Sequence, residues 1–148
     1  MGIRGLPYNW LKSYLDGRTQ QVQIENQLSN SLCTKCGVPQ GSILGPVLFL
    51  IYINNTNNIV NSQNLIQYAD DTTLCFSSTT NDHLKQLSCE KTNACIRYFQ
   101  NLNLQTNFEK SSFIKFSLNT NETNVIDNFQ IMIKDKSINE VNSTKFLG

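Results

Sequence analysis

An adjacent pair of acidic residues, Asp70 and Asp71, constrains the fold of this chain more than any other feature of its sequence. Apolar residues lie on both sides of the pair, with Leu65 and Ile66 before it and residues 74–76 after it. Two short apolar runs that flank a polar turn predict a β-hairpin with the acids at its tip. Because successive strand residues point to opposite faces, both carboxylates can reach one site only where the backbone turns. Such a tip suggests a metal site, although an Asp-Asp pair is more often a solvated turn.

A glycine-rich segment at residues 37–46 precedes the acids and contains three glycines and two prolines. Its glycines leave the backbone open to close approach by a ligand, and its prolines stiffen the chain. Gln40 adds an amide that both donates and accepts hydrogen bonds, which suits contact with a base or a sugar. A tight loop that enters a buried helix would account for the glycines and prolines about as well, but it leaves Gln40 unexplained.

Length and composition restrict the class of protein. The 148 residues correspond to about one domain. The net charge of +1 does not indicate a strongly basic surface for binding nucleic acid. Five lysines lie in the last third of the chain, so a local basic face is still compatible with the sequence. Five cysteines without a secretory signal peptide predict free thiols in an intracellular, reducing compartment. The longest apolar run, residues 43–53, falls short of the roughly 20 residues that span a bilayer, so we expect no membrane insertion.

Hydrophobic periodicity predicts the secondary structure. Helical spacing indicates helices at residues 6–15, 47–52 and 81–101, and the second of these should be buried because it is apolar on nearly every side. Alternation predicts a hairpin at residues 22–33, the acidic hairpin, a strand at residues 113–118, and a strand at residues 129–133 before a turn at Asp135 and Lys136. The order of these elements indicates an α+β fold.

The glycine-rich segment and the acidic pair together resemble motifs B and C of a reverse transcriptase, most closely the kind carried by retrotransposons that lack long terminal repeats. Residues 107–111 resemble motif D of the family, and residues 145–148 resemble the start of motif E. Residues 2–5 and 13–18 resemble the stretch before motif B, so the resemblance covers essentially the whole chain. It implies a partial polymerase palm, a ferredoxin-like or RRM-like fold with an antiparallel sheet and covering helices.

The resemblance also implies a reaction and a cofactor. Asp70 and Asp71 correspond to the motif C acids, which bind Mg²⁺, with Mn²⁺ as an alternative, for two-metal-ion nucleotidyl transfer to a primer 3′ end. In the complete enzyme the expected partners are an RNA template, a DNA primer and deoxynucleoside triphosphates. Asp70 is the stronger candidate ligand.

Five further residues correspond to functional positions of the family. Gln40 and Gly41 match the pair that lines the nucleotide and template pocket, and Tyr68 matches the aromatic residue next to the primer end. Lys110 matches the catalytic lysine near the leaving pyrophosphate. Arg18 is a candidate contact to template phosphate, a kind of contact that supplies affinity without sequence information.

The family carries another aspartate, in a motif A strand upstream of the region where Met1 begins, and this chain has no counterpart. Asp16 and Glu25 do not replace it convincingly, because one falls in a helix-end turn and the other in a hairpin. We therefore interpret residues 1–148 as a single partial palm domain with motifs B to E and without fingers, motif A and thumb. The loss of motif A would halve the ligand cluster and leave an exposed sheet edge.

Other functions stay open on the sequence alone. A non-catalytic remnant could retain nucleic-acid or protein binding, and a metal-dependent hydrolase or nuclease could use the same two acids. Cys33 and Cys36 have the spacing of half a zinc site, but a matching second pair is missing.

We predict that the isolated polypeptide does not polymerise DNA, because this chemistry depends on positioning and on several converging charges. The measurement is primer extension on an RNA template with Mg²⁺ or Mn²⁺. Processive incorporation that Asp70→Asn abolishes would prove the prediction wrong.

Overall fold

The computed structural model describes residues 2–117, 129–133 and 136–144. The chain divides into two compact units, Met1–Phe49 and Leu50–Gly148. Helices and small sheets of two strands each make up the described part, and four of the five strand pairs are antiparallel. The predicted α+β class is therefore confirmed at this level. No helix within the described ranges is both long and apolar enough to cross a membrane.

The first unit begins with helix α1 (Leu6–Leu15), which has a proline in its first turn, where a missing amide costs no helical hydrogen bond. A β-ribbon follows, in which β1 (Thr19–Gln20) pairs with β4 (Leu32–Cys33) and β2 (Gln23–Ile24) pairs with β3 (Gln27–Leu28). The predicted helix is confirmed. The predicted hairpin is right in its location but wrong in its pairing, because Leu32–Cys33 pairs with Thr19–Gln20 and not with Gln23–Ile24. All side chains of residues 19–33 are exposed, so the ribbon adds nothing to a core.

Helix α2 (Gly45–Ile53) confirms the helix predicted at residues 47–52, but the predicted burial is wrong. Val47, Leu50 and Ile51 are exposed, whereas Gly45 and Ile53 are buried. A helix with apolar residues on every face is buried only when other elements pack against every face. The described residues supply such neighbours for only part of its surface.

The second unit continues with two short 3-10 helices, Asn54–Asn58 and Ser62–Asn64, and then the acidic hairpin of β5 (Leu65–Tyr68) and β6 (Asp71–Leu74). The buried Thr56 fixes the first of these turns, because its hydroxyl donates to the Ile53 carbonyl 2.5 Å away. The main chain that leads to the hairpin is therefore stabilised by this hydrogen bond.

Helix α3 (Asn81–Asn101) matches the predicted helix and covers the main core of the second unit. This core contains Ile96 of α3 together with Phe129, Ile131 and Ile133. The last three alternate with the exposed Gln130 and Met132, which confirms the predicted alternation, but only Met132 and Ile133 of the strand predicted at residues 129–133 form a strand. Strand β8 (Met132–Ile133) pairs antiparallel with β9 (Lys136–Ser137), so Lys136 begins a strand and Asp135 lies outside the described residues.

The strand predicted at residues 113–118 is too long. Strand β7 (Ser112–Phe113) has two residues, both of which pair in parallel with β10 (Asn139–Glu140). Residues 114–117 are not in a strand, and residue 118 lies outside the described ranges.

Neighbouring residues of β8 allow a matched test of this core. Ile133 is 1% exposed and Met132 is 42% exposed. We expect Ile133→Ala to lower the free energy of unfolding by about 2–5 kcal/mol, because it leaves a cavity, and Met132→Ala to lower it by less than about 1 kcal/mol. Urea unfolding of the 148-residue chain measures both. Equal losses would show that the strand does not alternate as described.

Candidate active site

The acidic hairpin turns through two residues, Ala69 and Asp70, because Tyr68 pairs directly with Asp71. Asp70 therefore lies in the turn, as the sequence predicted, whereas Asp71 is the first residue of β6. The pairing continues without a bulge to Leu65 opposite Leu74. Both acids are thus held at one end of a regular ribbon.

The turn requires an unusual backbone conformation. Ala69 has a φ of 51°, in the left-handed region that glycine and asparagine adopt far more readily than alanine. An L-residue in this region costs roughly 1–2 kcal/mol. The cross-strand bonds of β5 and β6 must offset that cost.

The register assigns each side chain of the hairpin to a face, because directly paired residues lie on the same side of a ribbon. Tyr68 and Asp71 share one face, where Tyr68 is 59% exposed. Gln67 and Thr72 share the other, which is half-buried. Here the Gln67 amide makes a long hydrogen bond of 3.4 Å to the Thr56 hydroxyl. One face is therefore anchored and the other is open to solvent.

Both carboxylates at the tip are exposed, and neither makes a hydrogen bond or an ion pair with another described residue. Carboxylate oxygens are the ligands that Mg²⁺ prefers, and a retained water shell suits an exposed tip. Within the described ranges, however, no group of three or more His, Cys, Asp or Glu residues could hold a metal ion. Asp70 and Asp71 therefore fit a divalent cation as part of a ligand set.

Two hydrogen bonds of the Ser42 side chain stabilise the glycine-rich segment of the first unit. Its hydroxyl donates to the Pro39 carbonyl over 2.7 Å and accepts from the Gly45 amide over 3.1 Å, at the start of α2. A Cβ atom at Gly45 would lie 2.9 Å from the Ser42 Oγ and 3.2 Å from the Pro39 oxygen, so a side chain there would have to displace the Ser42 hydroxyl from these hydrogen bonds. Gly41, with a φ of 74°, also needs its freedom from a side chain.

Gln40 lies inside this fastened loop, and its exposed side chain makes no hydrogen bond with another described residue. Arg18 lies at the edge of the same loop, where its guanidinium donates to the carbonyls of Leu15 and Gly37. The first unit therefore brings the predicted residues Arg18, Gln40 and Gly41 to one loop system.

Lys110 lies in a turn of the second unit, between α3 and β7. The Asn107 side chain accepts from the amides of Glu109 and Lys110, over 3.1 and 3.3 Å, which closes the turn. Phe108 packs against the main core, so the turn is attached at that point. The ammonium group of Lys110 is left exposed.

Sequence reasoning assigned no role to Ser42, Ala69 or Asn107, which shape these three segments. A serine three residues before an apolar helix and an asparagine at the start of a polar turn are recognisable capping signals. The left-handed alanine has no local signal, because alanine is uncommon in that conformation.

A family model described as reverse transcriptase (RNA-dependent DNA polymerase) matches residues 2–148. The chain belongs to this family. The family-level prediction is thereby confirmed, and members of the family use divalent metal ions. The individual roles of the residues in this reverse transcriptase chain stay predictions.

Three relatives from Drosophila melanogaster are similar to parts of this reverse transcriptase chain. A probable RNA-directed DNA polymerase from transposon X-element is 25% identical over 145 residues, which cover 95% of the chain and 15% of the relative. The RNA-directed DNA polymerase from mobile element jockey is 29% identical over 76% of the chain and 13% of its own length. A probable RNA-directed DNA polymerase from transposon BS is 37% identical over 48% of the chain and 9% of its own length.

The matches thus span at most 15% of the length of these relatives. No solved structure matches this reverse transcriptase chain.

Two alanines of the chain give opposite predictions for the same substitution. At Ala69, glycine should raise the free energy of unfolding by roughly 0.5–1 kcal/mol, since it relieves the left-handed strain. At Ala94, inside α3, glycine should lower it by roughly 0.5–1 kcal/mol. Urea unfolding measures both, and a loss of stability in Ala69→Gly would contradict the described turn.

Proposed function

We propose that this chain is part of the palm of an RNA-directed DNA polymerase from a retrotransposon without long terminal repeats. In the complete enzyme it would take part in the transfer of deoxynucleotides to a primer 3′ end on an RNA template. The observation that carries the proposal is the pair of exposed carboxylates, Asp70 and Asp71, at the open tip of a regular hairpin in a reverse transcriptase chain.

Asp70 and Asp71 would hold Mg²⁺, with Mn²⁺ as a substitute. A divalent cation bound there would stabilise negative charge on the attacking and leaving oxygens of the phosphoryl transfer. The hairpin contributes by holding the two acids together at the end of a regular ribbon. Among the described residues neither acid has a salt-bridge partner to displace before a metal binds.

Tyr68 would meet the primer end. Its ring shares the open face of the hairpin with Asp71, so a primer terminus stacked on the tyrosine would lie next to a metal-binding carboxylate. The ring is 59% exposed and therefore accessible for such a contact.

Gln40 and Gly41 would shape the nucleotide and template pocket, and Lys110 would assist departure of the pyrophosphate. A side chain at Gly41 would both strain the backbone and obstruct close approach of a substrate. The exposed amide of Gln40 and the exposed ammonium group of Lys110 remain available for such contacts.

Two carboxylates are fewer than two-metal-ion catalysis requires, so we propose that other parts of the polymerase complete the ligand set. Residues 1–148 would then form one partial palm domain, and the small share of the relatives that the matches cover supports this view. The hairpin would supply half of the site and would be inactive alone.

A hybrid enzyme tests the proposal. The segment matched in the X-element polymerase covers 95% of this chain, so replacing it with this chain transfers both the glycine-rich loop and the acidic hairpin. We expect the hybrid to extend a DNA primer on RNA with Mg²⁺. Asp70→Asn or Asp71→Asn should lower kcat by roughly 100-fold or more, because positioned charge supplies most of the catalysis.

Asp82→Asn is the matched control, because Asp82 is an exposed acid in the first turn of α3 and should not change kcat. An inactive hybrid, or an active hybrid that tolerates Asp70→Asn, would contradict the proposal. If the hybrid is inactive but the chain binds an RNA–DNA duplex in a salt-dependent way, a non-catalytic binding remnant becomes the better account.

A further inference from the structure

The guanidinium of Arg18 joins two separate stretches of main chain in the first unit. Its Nε donates to the carbonyl of Leu15 over 3.0 Å, and its Nη2 donates to the carbonyl of Gly37 over 2.5 Å. Leu15 is the last residue of α1, so its carbonyl has no partner within the helix. Gly37 begins the glycine-rich loop. The arginine thus ties the end of a helix to the start of that loop.

Arginine suits this position better than lysine does. Its planar head presents five donors in a fixed fork and stays charged at all relevant pH values, so it can bind two carbonyls in different directions. The main chain of Arg18 is itself held, because the Thr34 amide donates to its carbonyl over 2.8 Å at the base of the ribbon. The half-buried side chain therefore extends from a fixed point.

The glycine-rich loop needs this hydrogen bond to fix the position of Gly37. This residue has a φ of 81°, and no heavy atom lies within 4 Å of the place where its Cβ would be. Sterically it is free, so side-chain packing does not hold it in place. The Ser42 hydroxyl fastens the opposite end of the loop at Pro39 and Gly45. Gln40 and Gly41 lie between Ser42 and the arginine tie.

We infer that Arg18 is a positioning residue that sets the conformation of Gln40 and Gly41, and thereby the fit of the incoming nucleotide. The effect on the incoming nucleotide rests on the proposed function. The hydrogen bonds from Arg18 to the two carbonyls do not, because they are present in this chain by itself. It differs from a template-phosphate contact, because the carbonyl bonds use two of the five donors for the protein's own backbone.

Backbone dynamics of the 148-residue chain test the tie without any assay of polymerisation. In NMR relaxation measurements, we expect the order parameters of Gly37 and Gly41 to fall from about 0.85 to below about 0.6 in Arg18→Met. Arg18→Lys should give intermediate values, because an ammonium group can hold one carbonyl but lacks the fork. The β2–β3 end of the ribbon should keep its values and so report that the unit is still folded.

Arg4→Met is the matched control, because Arg4 is exposed and makes no hydrogen bond or ion pair with another described residue. It should leave Gly37 and Gly41 unchanged. Unaltered order parameters at these glycines in Arg18→Met would overturn the inference, whether or not the hybrid enzyme polymerises.

Steady-state kinetics of the hybrid enzyme then separate positioning from template contact. A positioning role predicts that Arg18→Met raises KM for the deoxynucleotide by roughly tenfold while kcat changes less, with partial rescue by Arg18→Lys. A phosphate contact predicts instead that the affinity for template falls and that its salt dependence weakens by about one charge, with KM for the nucleotide unchanged. The second result would overturn the inference.

Discussion

The two-residue turn at Ala69 and Asp70 fixes which side chains of the acidic hairpin face solvent. Because the side chains of a strand alternate, a slip of one residue would exchange the open and anchored faces. In the observed register Tyr68 and Asp71 are presented together, while Gln67 reaches back to Thr56. The strained alanine is tolerated because the regular pairing of four residues on each side compensates for it. Every role proposed for the hairpin depends on this register.

The elements that the sequence predicted well are those with a strong local signal. Helices α1 and α3 have the predicted bounds, because their apolar residues recur at helical spacing and turn-forming residues follow them. The acidic hairpin was predicted for a similar reason, since two apolar runs flank a polar pair. The alternation of Phe129, Ile131 and Ile133 likewise identified three core residues. In these segments the local pattern and the packing agree.

The features that the sequence did not predict depend on contacts between distant residues. The exposure of α2 depends on which neighbours cover it, and the extent of β7 depends on its pairing with β10, 27 residues further along the chain. Arg18 contacts Gly37 across 19 positions of sequence, and no periodic pattern reports such a tie. The segments of the candidate site were identified by their resemblance to motifs of the family. The family model that matches the chain confirms the family that these motifs indicated. The palm arrangement and the residue roles remain proposals.

Metal binding by the isolated chain shows whether the tip of the acidic hairpin binds a divalent cation. Paramagnetic Mn²⁺ broadens the NMR signals of nearby amides, so a low concentration of Mn²⁺ reports where it binds. Binding at the tip predicts selective broadening of residues 68–72, lost in Asp70→Asn combined with Asp71→Asn. Broadening that is no stronger there than at the exposed acids Asp82 and Glu109 would contradict it.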